Sequence, residues 1–329
     1  MASSPIRIGI AGYGNLGRGA QAAIARHADM QLVGVFTRRD PAALVLDDPT
    51  VPVWSLDDAA ARRNDIDVLI LCGGSKDDLP VQGPELAQWF TTVDSYDTHA
   101  RIPQYFQAVD AAARSHGNLS ILAVGWDPGL FSINRLMGEA ILPQGATYTF
   151  WGKGLSQGHS DAIRRVPGVA GGVQYTIPVP AAVERVRAGG QPQLGTREKH
   201  TRECYVVLED GADARQVEQA IVTMPDYFAD YDTTVHFIDA DTLRRDHAGM
   251  PHGGFVIRSG QSGRDEQQVM EYSLKLASNP GFTSSVLVAY ARAAWRLKSA
   301  GETGARTVFD VAPGLLSPKS AADLRRELL

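Results

Sequence analysis

Cysteine is nearly missing from this chain. Its 329 residues hold only Cys72 and Cys204. They lie far apart and outside any paired spacing, which excludes a disulfide framework and fits free thiols in a reducing cytoplasm. Clustered positive charge is missing too. No Lys/Arg-rich run occurs and the formal net charge is −5, so a nucleic-acid surface has no electrostatic support. No apolar stretch approaches the ~20 residues of a membrane span. The eight histidines show no HExxH or similar spacing, so no metal site is expected. The opening MASSPIRIGIAGYG enters a strand at once, so no signal peptide is expected. Neither an internal repeat nor a low-complexity segment is present. What remains is 44% hydrophobic and 21% charged, an ordinary balance for a globular chain with a sizeable core, and long enough for two domains.

Apolar runs at Ile6–Ala11, Leu32–Phe36, Val51–Trp54, Ile66–Cys72, Thr91–Tyr96 and Leu119–Val124 read as buried strands. Helical stretches such as Leu16–Arg26, Gly83–Phe90 and Pro103–His116 lie between them, as a parallel sheet with crossovers requires. After Gly125 the strand candidates lengthen and alternate: Tyr148–Trp151, Gly172–Val179, Arg202–Leu208, Thr234–Ile238, Phe255–Arg258 and Val269–Leu276. The expected fold is α/β, a Rossmann doubly wound parallel sheet followed by an α+β domain with a mixed or antiparallel sheet. Residues 1–125 form the dinucleotide-binding domain and 126–279 the substrate and dimerisation domain. A long amphipathic helix over Pro280–Ser299, with Pro280 in its first turn, begins a tail (280–329) that returns to the first domain.

Gly12-Tyr13-Gly14-Asn15-Leu16-Gly17 is a G-x-G-x-x-G set between a strand and a helix. Gly12 permits the tight turn, Gly14 lets a pyrophosphate approach the backbone, and Gly17 allows close helix–strand packing. The helix N-terminus adds unpaired N–H groups. At the end of the second strand an NAD enzyme usually places an acid. Here Thr37, Arg38 and Arg39 stand in that region, which suits the 2′-phosphate of NADP. Asp40 is expected to turn outward. The loops Cys72-Gly73-Gly74-Ser75 and Asp94-Ser95-Tyr96-Asp97 emerge at the carboxyl ends of strands, where cofactors lie; the same residues also suit plain turns.

The sixth strand runs into Gly125-Trp126-Asp127-Pro128-Gly129, and Pro128 biases Asp127 towards an extended conformation. Asp127 and Asp97 reach the same sheet edge. A pair of carboxylates there can bind a substrate ammonium and take its proton as an imine forms; each can equally cap a turn. Further on, Trp151–Asp161 reads as a polar, glycine-dense loop able to close backbone N–H groups on a carboxylate. Arg202 stands at a strand start and His252 in a Gly/Pro-rich turn. Both suit a carboxylate, and both also suit a surface cation and a hydrogen-bonded core histidine. Asn279, before Pro280, reads first as a helix cap.

Eight segments together resemble the meso-diaminopimelate D-dehydrogenase family: GYGNLG (12–17), TRR (37–39), DSYDTH (94–99), GWDPG (125–129), FWGKGLSQGHSD (150–161), MPDYF (224–228), GMPHGG (249–254) and Asn279-Pro280. The resemblance implies a homodimeric, NADP-dependent enzyme that oxidatively deaminates the D-centre of meso-diaminopimelate. It implies cofactor contacts from Tyr13, Gly14, Asn15 and Leu16, from Thr37, Arg38 and Arg39 on the 2′-phosphate, and from Cys72 to Ser75, Ser95, Tyr96 and Asp97. Val124, Gly125, Trp126, Asp127 and Pro128 complete that wall. Asp97, Trp126, Asp127 and Trp151 would hold the D-centre, with Gln157 and Gly158 at its carboxylate. Thr176, Arg202, His252 and Asn279 would bind the distal L-centre. Two rivals are another NADP-dependent two-domain reductase, whose sugar-type members carry an E-K-P-like catalytic lysine that is absent here, and a non-catalytic NADP sensor, which should show an eroded polar cleft.

Overall fold

The structure, a computed structural model, describes residues 4–329. It divides into two compact units, 1–133 with 280–329, and 134–279. In the first, β1 (Ile6–Ala11), β2 (Met30–Thr37), β3 (Val53–Ser55), β4 (Val68–Leu71), β5 (Thr92–Asp94) and β6 (Leu119–Ile121) join a last strand, Gly304–Arg306. All pair in parallel, in the order β3-β2-β1-β4-β5-β6 and then Gly304–Arg306. The order reverses between β1 and β4, the switch point at which such sheets bind ligands. β4 and β5 are shorter than the apolar runs that announced them, because the flanking residues leave the sheet as loops. The strand Gly304–Arg306 was not expected, since Gly-Ala-Arg carries no strand signal; it is fixed by its pairing with β6.

Helices cover both faces. On one, α1 (Asn15–Ile24) and the long helix Asn279–Ser299 pack on Ile8, Ile10, Ile70 and Ile121. On the other, α2 (Leu79–Ala87) and α3 (Ile102–Ser115) pack on Phe36, Leu69 and Leu71. Pro80 obscured the first turn of α2, which starts four residues before the expected Gly83; proline is tolerated at a helix start because no N–H is needed there, and a second proline, Pro84, lies inside the helix. The long helix is not amphipathic. Val286, Leu287, Val288, Tyr290, Ala291, Ala293 and Ala294 are buried around most of its circumference, as expected for a helix sunk in a core.

In the second unit, after α4 (Leu130–Ile141), the strands are β7 (Gly145–Trp151), β8 (Gly154–Leu155), β9 (Val169–Pro178), β10 (His200–Leu208), β11 (Asp232–Phe237), β12 (His252–Gly263) and β13 (Glu266–Leu276). They form two sheets: a mixed β11-β10-β9-β8, in which β10 and β11 run parallel, and an antiparallel β13-β12-β7. Each has its own core, around Ile163, Cys204, Val206 and Phe228, and around Tyr148, Phe150, Val183 and Ile257. No helix of the described residues is long and apolar enough to cross a membrane.

The long helix carries a buried charge, Arg292, 1% exposed. Its guanidinium grips Asp29 at 2.6 and 2.8 Å and reaches the Leu316 carbonyl at 2.7 Å. Arg292 holds the Asp29 carboxyl below its ordinary value. Asp29→Asn would strand this cation and should cost about 3 kcal/mol, seen as a lower urea midpoint. A carboxyl whose folded pKa is depressed stabilises fully above its unfolded value. The gap between wild type and variant should therefore be complete above about pH 4 and shrink as pH falls further.

Candidate functional site

The glycine turn is built by contact. Gly12 has φ +94°, its N–H donates to the Phe36 carbonyl at 2.9 Å, and a Cβ there would press on the Cys72 carbonyl at 3.3 Å. A Cβ on Gly17 would lie 2.2 Å from the Gly12 carbonyl oxygen, so α1 can approach the turn only without a side chain. Gly14 differs: nothing stands within 4 Å of a Cβ built there. The protein's own packing does not demand glycine at 14, and the open space is what a pyrophosphate approaching the helix start would use. Tyr13 is 4% exposed, its hydroxyl bonded to Gln21 and accepting the Asp47 N–H. Its side chain belongs to the core, so only its backbone can serve a cofactor. Leu16, in the first turn of α1, is likewise partly buried against that core.

At the end of β2, Thr37 is buried and its hydroxyl accepts the Arg39 N–H at 3.0 Å. Arg38 pairs with Asp78 at 2.7 Å, and the other oxygen of Asp78 accepts the Gly74 N–H at 2.8 Å. Asp78 therefore ties the Arg38 guanidinium to the Cys72–Ser75 loop, a role without a sequence signal. Arg38 also lines a cavity of about 360 Å³ floored by Leu56, Ala59, Leu86 and Trp89. Asp40 is exposed and caps the following turn through the Ala42 N–H. A Cβ on Gly73 would meet Asp78 and Gln82 at 2.8 Å, so that glycine answers to packing. Burial pushes the Cys72 thiol up to about 12. The Ser75 hydroxyl accepts the Asp97 N–H at 3.2 Å and joins the two loops.

Asp97 follows β5 and is exposed; Asp127 follows β6 and is half-buried. Asp127 and Pro128, joined by a cis bond, form the tip of a turn closed by a bridge from Trp126 to Gly129. Trp126 is buried edge-on against Phe131, ring centroids 5.2 Å apart. Behind both loops lies Asp94, which burial pushes up to about 6. The same burial, with Asp94 beside it, raises the Tyr105 phenol.

In the second unit, register assembles the distal candidates. Gly154 on β8 pairs with Thr176 on β9, and Thr176 with Arg202 on β10, so the three form one cross-strand row. Arg202 is the third residue of its strand rather than the first, and 6% exposed. Its guanidinium donates to the Thr176 hydroxyl and lies 3.9 Å above the Tyr231 ring, while its Nε has no acceptor. Among the described residues no carboxylate pairs with it. Burial lowers its pKa, and a buried cation in this position calls for an anion. Arg258, equally buried, differs: it is satisfied by the Leu142 and Pro143 carbonyls and by Thr147.

His252 lines a cavity of about 470 Å³ with Lys153, Tyr175, Pro251, Lys275 and Leu276. A Cβ on Gly154 would lie 2.4 Å from the His252 ring. Asn279 donates its N–H to the Met250 carbonyl at 2.9 Å and is the first residue of the long helix rather than a residue before it. The supposed loop 151–161 is a short strand and a helix, α5 (Gln157–Arg164). Glycine density hid the helix, and Gln157 and Gly158 occupy its first turn, where N–H groups lack intrahelical partners. Trp151, 38% exposed, donates its N–H to His200 Nε2 at 2.8 Å and stacks on that ring.

A glycine turn entering a helix at a Rossmann switch point, with cations closing β2, defines a nicotinamide-dinucleotide oxidoreductase. Residues 125–278 match the model of the diaminopimelic acid dehydrogenase C-terminal domain. The chain is 65% identical to meso-diaminopimelate D-dehydrogenase of Lysinibacillus sphaericus, covering 99% of this chain and 100% of that one. The DAP dehydrogenase of C. glutamicum, solved in complex with DAP, superposes with a TM-score of 0.91 at 48% identity, over 99% of this chain and 100% of that one. An engineered D-amino acid dehydrogenase bound to NADP+ gives 0.86 at 46% identity, over 99% and 100%. The chain belongs to the meso-diaminopimelate D-dehydrogenase family.

Burial holds both His159 and His200 neutral, at about 4. The unfolded chain binds these protons near pH 6.5, so between about pH 6.5 and 4 it holds more protons than the fold. Stability should fall as pH drops through this window. His200→Gln, whose amide oxygen can still accept the Trp151 N–H, should remove about one proton from the slope of unfolding free energy against pH. Urea unfolding at several pH values measures it; an unchanged slope would place His200 outside this account.

Proposed function

We propose that this chain catalyses the NADP-dependent, reversible oxidative deamination of the D-centre of meso-2,6-diaminopimelate to L-2-amino-6-oxopimelate, which cyclises to tetrahydrodipicolinate, and ammonia. The geometric observation that carries the reading is Arg202, a cation buried in a prepared row and lacking an anion. A substrate with an amino acid head at each end brings one carboxylate for that cation and one for the reacting end. Family membership supplies the chemistry.

Bound NADP would accept the hydride from the substrate Cα. Gly14 leaves room for its pyrophosphate at the start of α1. Thr37, Arg38 and Arg39 would hold the 2′-phosphate, Arg38 exchanging part of its pairing with Asp78 for a doubly charged partner. Cys72 to Ser75, Ser95, Tyr96 and Val124 to Pro128 would line the ribose and nicotinamide. Asp97 and Asp127 would meet the D-centre ammonium and take its proton, with Trp126 and Trp151 beside it. Gln157 and Gly158 would receive the reacting carboxylate at the first turn of α5. Thr176, Arg202, His252 and Asn279 would bind the L-centre.

We further read the chain as a homodimer in the cytoplasm. The resemblance supports the dimer, as do Leu136, Met137 and Ile141, each about half exposed; the unpaired thiols Cys72 and Cys204 fit a reducing compartment.

Arg202→Leu separates binding from folding. Removing a buried, unpaired cation should leave the melting temperature unchanged or raised. On meso-diaminopimelate with NADP, kcat/KM should fall about 10²–10³-fold. D-alanine, which has no distal head, should lose almost nothing. Equal losses on the two substrates, followed by NADPH absorbance, would remove Arg202 from the distal pole.

A further inference from the structure

The loops that carry Asp97 and Asp127 leave the sheet from adjacent strands, β5 and β6, and one buried side chain is bonded to both. Asp94 closes β5 and is 1% exposed. Its Oδ1 accepts the Tyr96 N–H at 2.9 Å and the Ala123 N–H at 3.2 Å. Its Oδ2 accepts the Tyr105 hydroxyl at 2.7 Å, from α3. Its main-chain carbonyl accepts the Val124 N–H at 2.9 Å. Tyr105 in turn stacks on Tyr96, ring centroids 4.1 Å apart. Every partner of the carboxylate is neutral, and among the described residues no cation pairs with it. Sunk among neutral donors, such a group adds little to stability; what it supplies is geometry.

Ala123 shows where that geometry is needed. Its φ is +57°, a left-handed conformation that alanine seldom adopts and that surrounding contacts must hold. The Asp94 carboxylate takes its N–H, and the chain then runs through Val124 and Gly125 to Asp127. On the other side, the Tyr96 N–H is fixed one residue before Asp97.

We propose that Asp94 is a positioning residue for the reaction: by accepting hydrogen bonds from both loops, it fixes Asp97 and Asp127 relative to one another. The proposal rests on the assignment of those two carboxylates to the D-centre. Asp94 itself touches neither substrate nor cofactor.

Acceptance of hydrogen bonds, rather than charge, is what the role requires, and this sets the test. Asparagine keeps Oδ1 for the Tyr96 and Ala123 N–H groups and can donate to the Tyr105 oxygen. It leaves the Tyr105 hydroxyl proton unmatched, so Asp94→Asn should lose stability yet keep turnover. Alanine removes every acceptor. Asp94→Ala should lower kcat about 10²-fold, with KM for NADP little changed, whereas Asp94→Asn should stay within about threefold of wild type. Should the alanine variant not accumulate as folded protein, Asp94→Ser replaces it; its hydroxyl is too short to serve both loops and should show the same loss. Each variant is assayed with meso-diaminopimelate and NADP, beside its melting temperature. Melting temperatures that fall while kcat per folded enzyme is unchanged would overturn the proposal. So would an asparagine variant as slow as alanine. Wild type inactive on meso-diaminopimelate would instead refute the functional reading itself. With an active wild type, Asp97→Asn and Asp127→Asn at full turnover would refute the assignment on which the proposal stands.

Discussion

A parallel sheet must be covered on both faces, and the first unit is organised around that requirement. Ile8, Ile10 and Ile70 point to one face, Leu69, Leu71 and Phe36 to the other, and neither set can meet water. α2 and α3 cover one side. On the other, α1 leaves space that the long helix Asn279–Ser299 fills, after the chain has built a whole second unit. Crossovers of this kind place every strand's carboxyl end on one edge. The glycine turn, the Thr37–Arg39 step and the loops of Asp97 and Asp127 all emerge there because the sheet allows no other exit.

That requirement also explains what could be read from the chain. Most strands of the first unit were legible as largely apolar runs, and the glycine turn as a local sequence pattern. The Thr37–Arg39 step was legible by position. The missed elements lack local signals. Gly304–Arg306 is a strand only because β6 stands beside it. α5 is hidden by glycine and polar residues, and the long helix, whose sequence suggests an amphipathic one, is buried nearly all round. The bonding roles of Asp78 and Asp94 have no sequence signal for a further reason. Their partners, Arg38 in one case and Tyr105 and Ala123 in the other, lie 11 to 40 residues away, and nothing in sequence announces a polar contact over such a span.

Charge organises the second unit differently. Among the described residues three arginines are buried, and each is handled in its own way. Arg292 has Asp29, and Arg258 has the Leu142 and Pro143 carbonyls that follow α4. Arg202 has a threonine hydroxyl, a tyrosine face and an Nε without an acceptor. The first two arrangements are complete within the fold. The third leaves a buried cation without a carboxylate partner among the described residues, which is the feature the proposed distal pole would use. The neutral His159 and His200 follow from burial first, and each is further lowered by the same cation, Arg202.

In the proposed reaction hydride leaves the D-configured carbon of meso-diaminopimelate, while the L-configured head serves only to bind. Substrate deuterated at one α-carbon or the other tests this directly. With NADP and the D-centre labelled, mass spectrometry of the reduced cofactor should show one deuterium per turnover. With the L-centre labelled it should show none. Deuterium arriving from the L-centre, or from neither, would contradict the account.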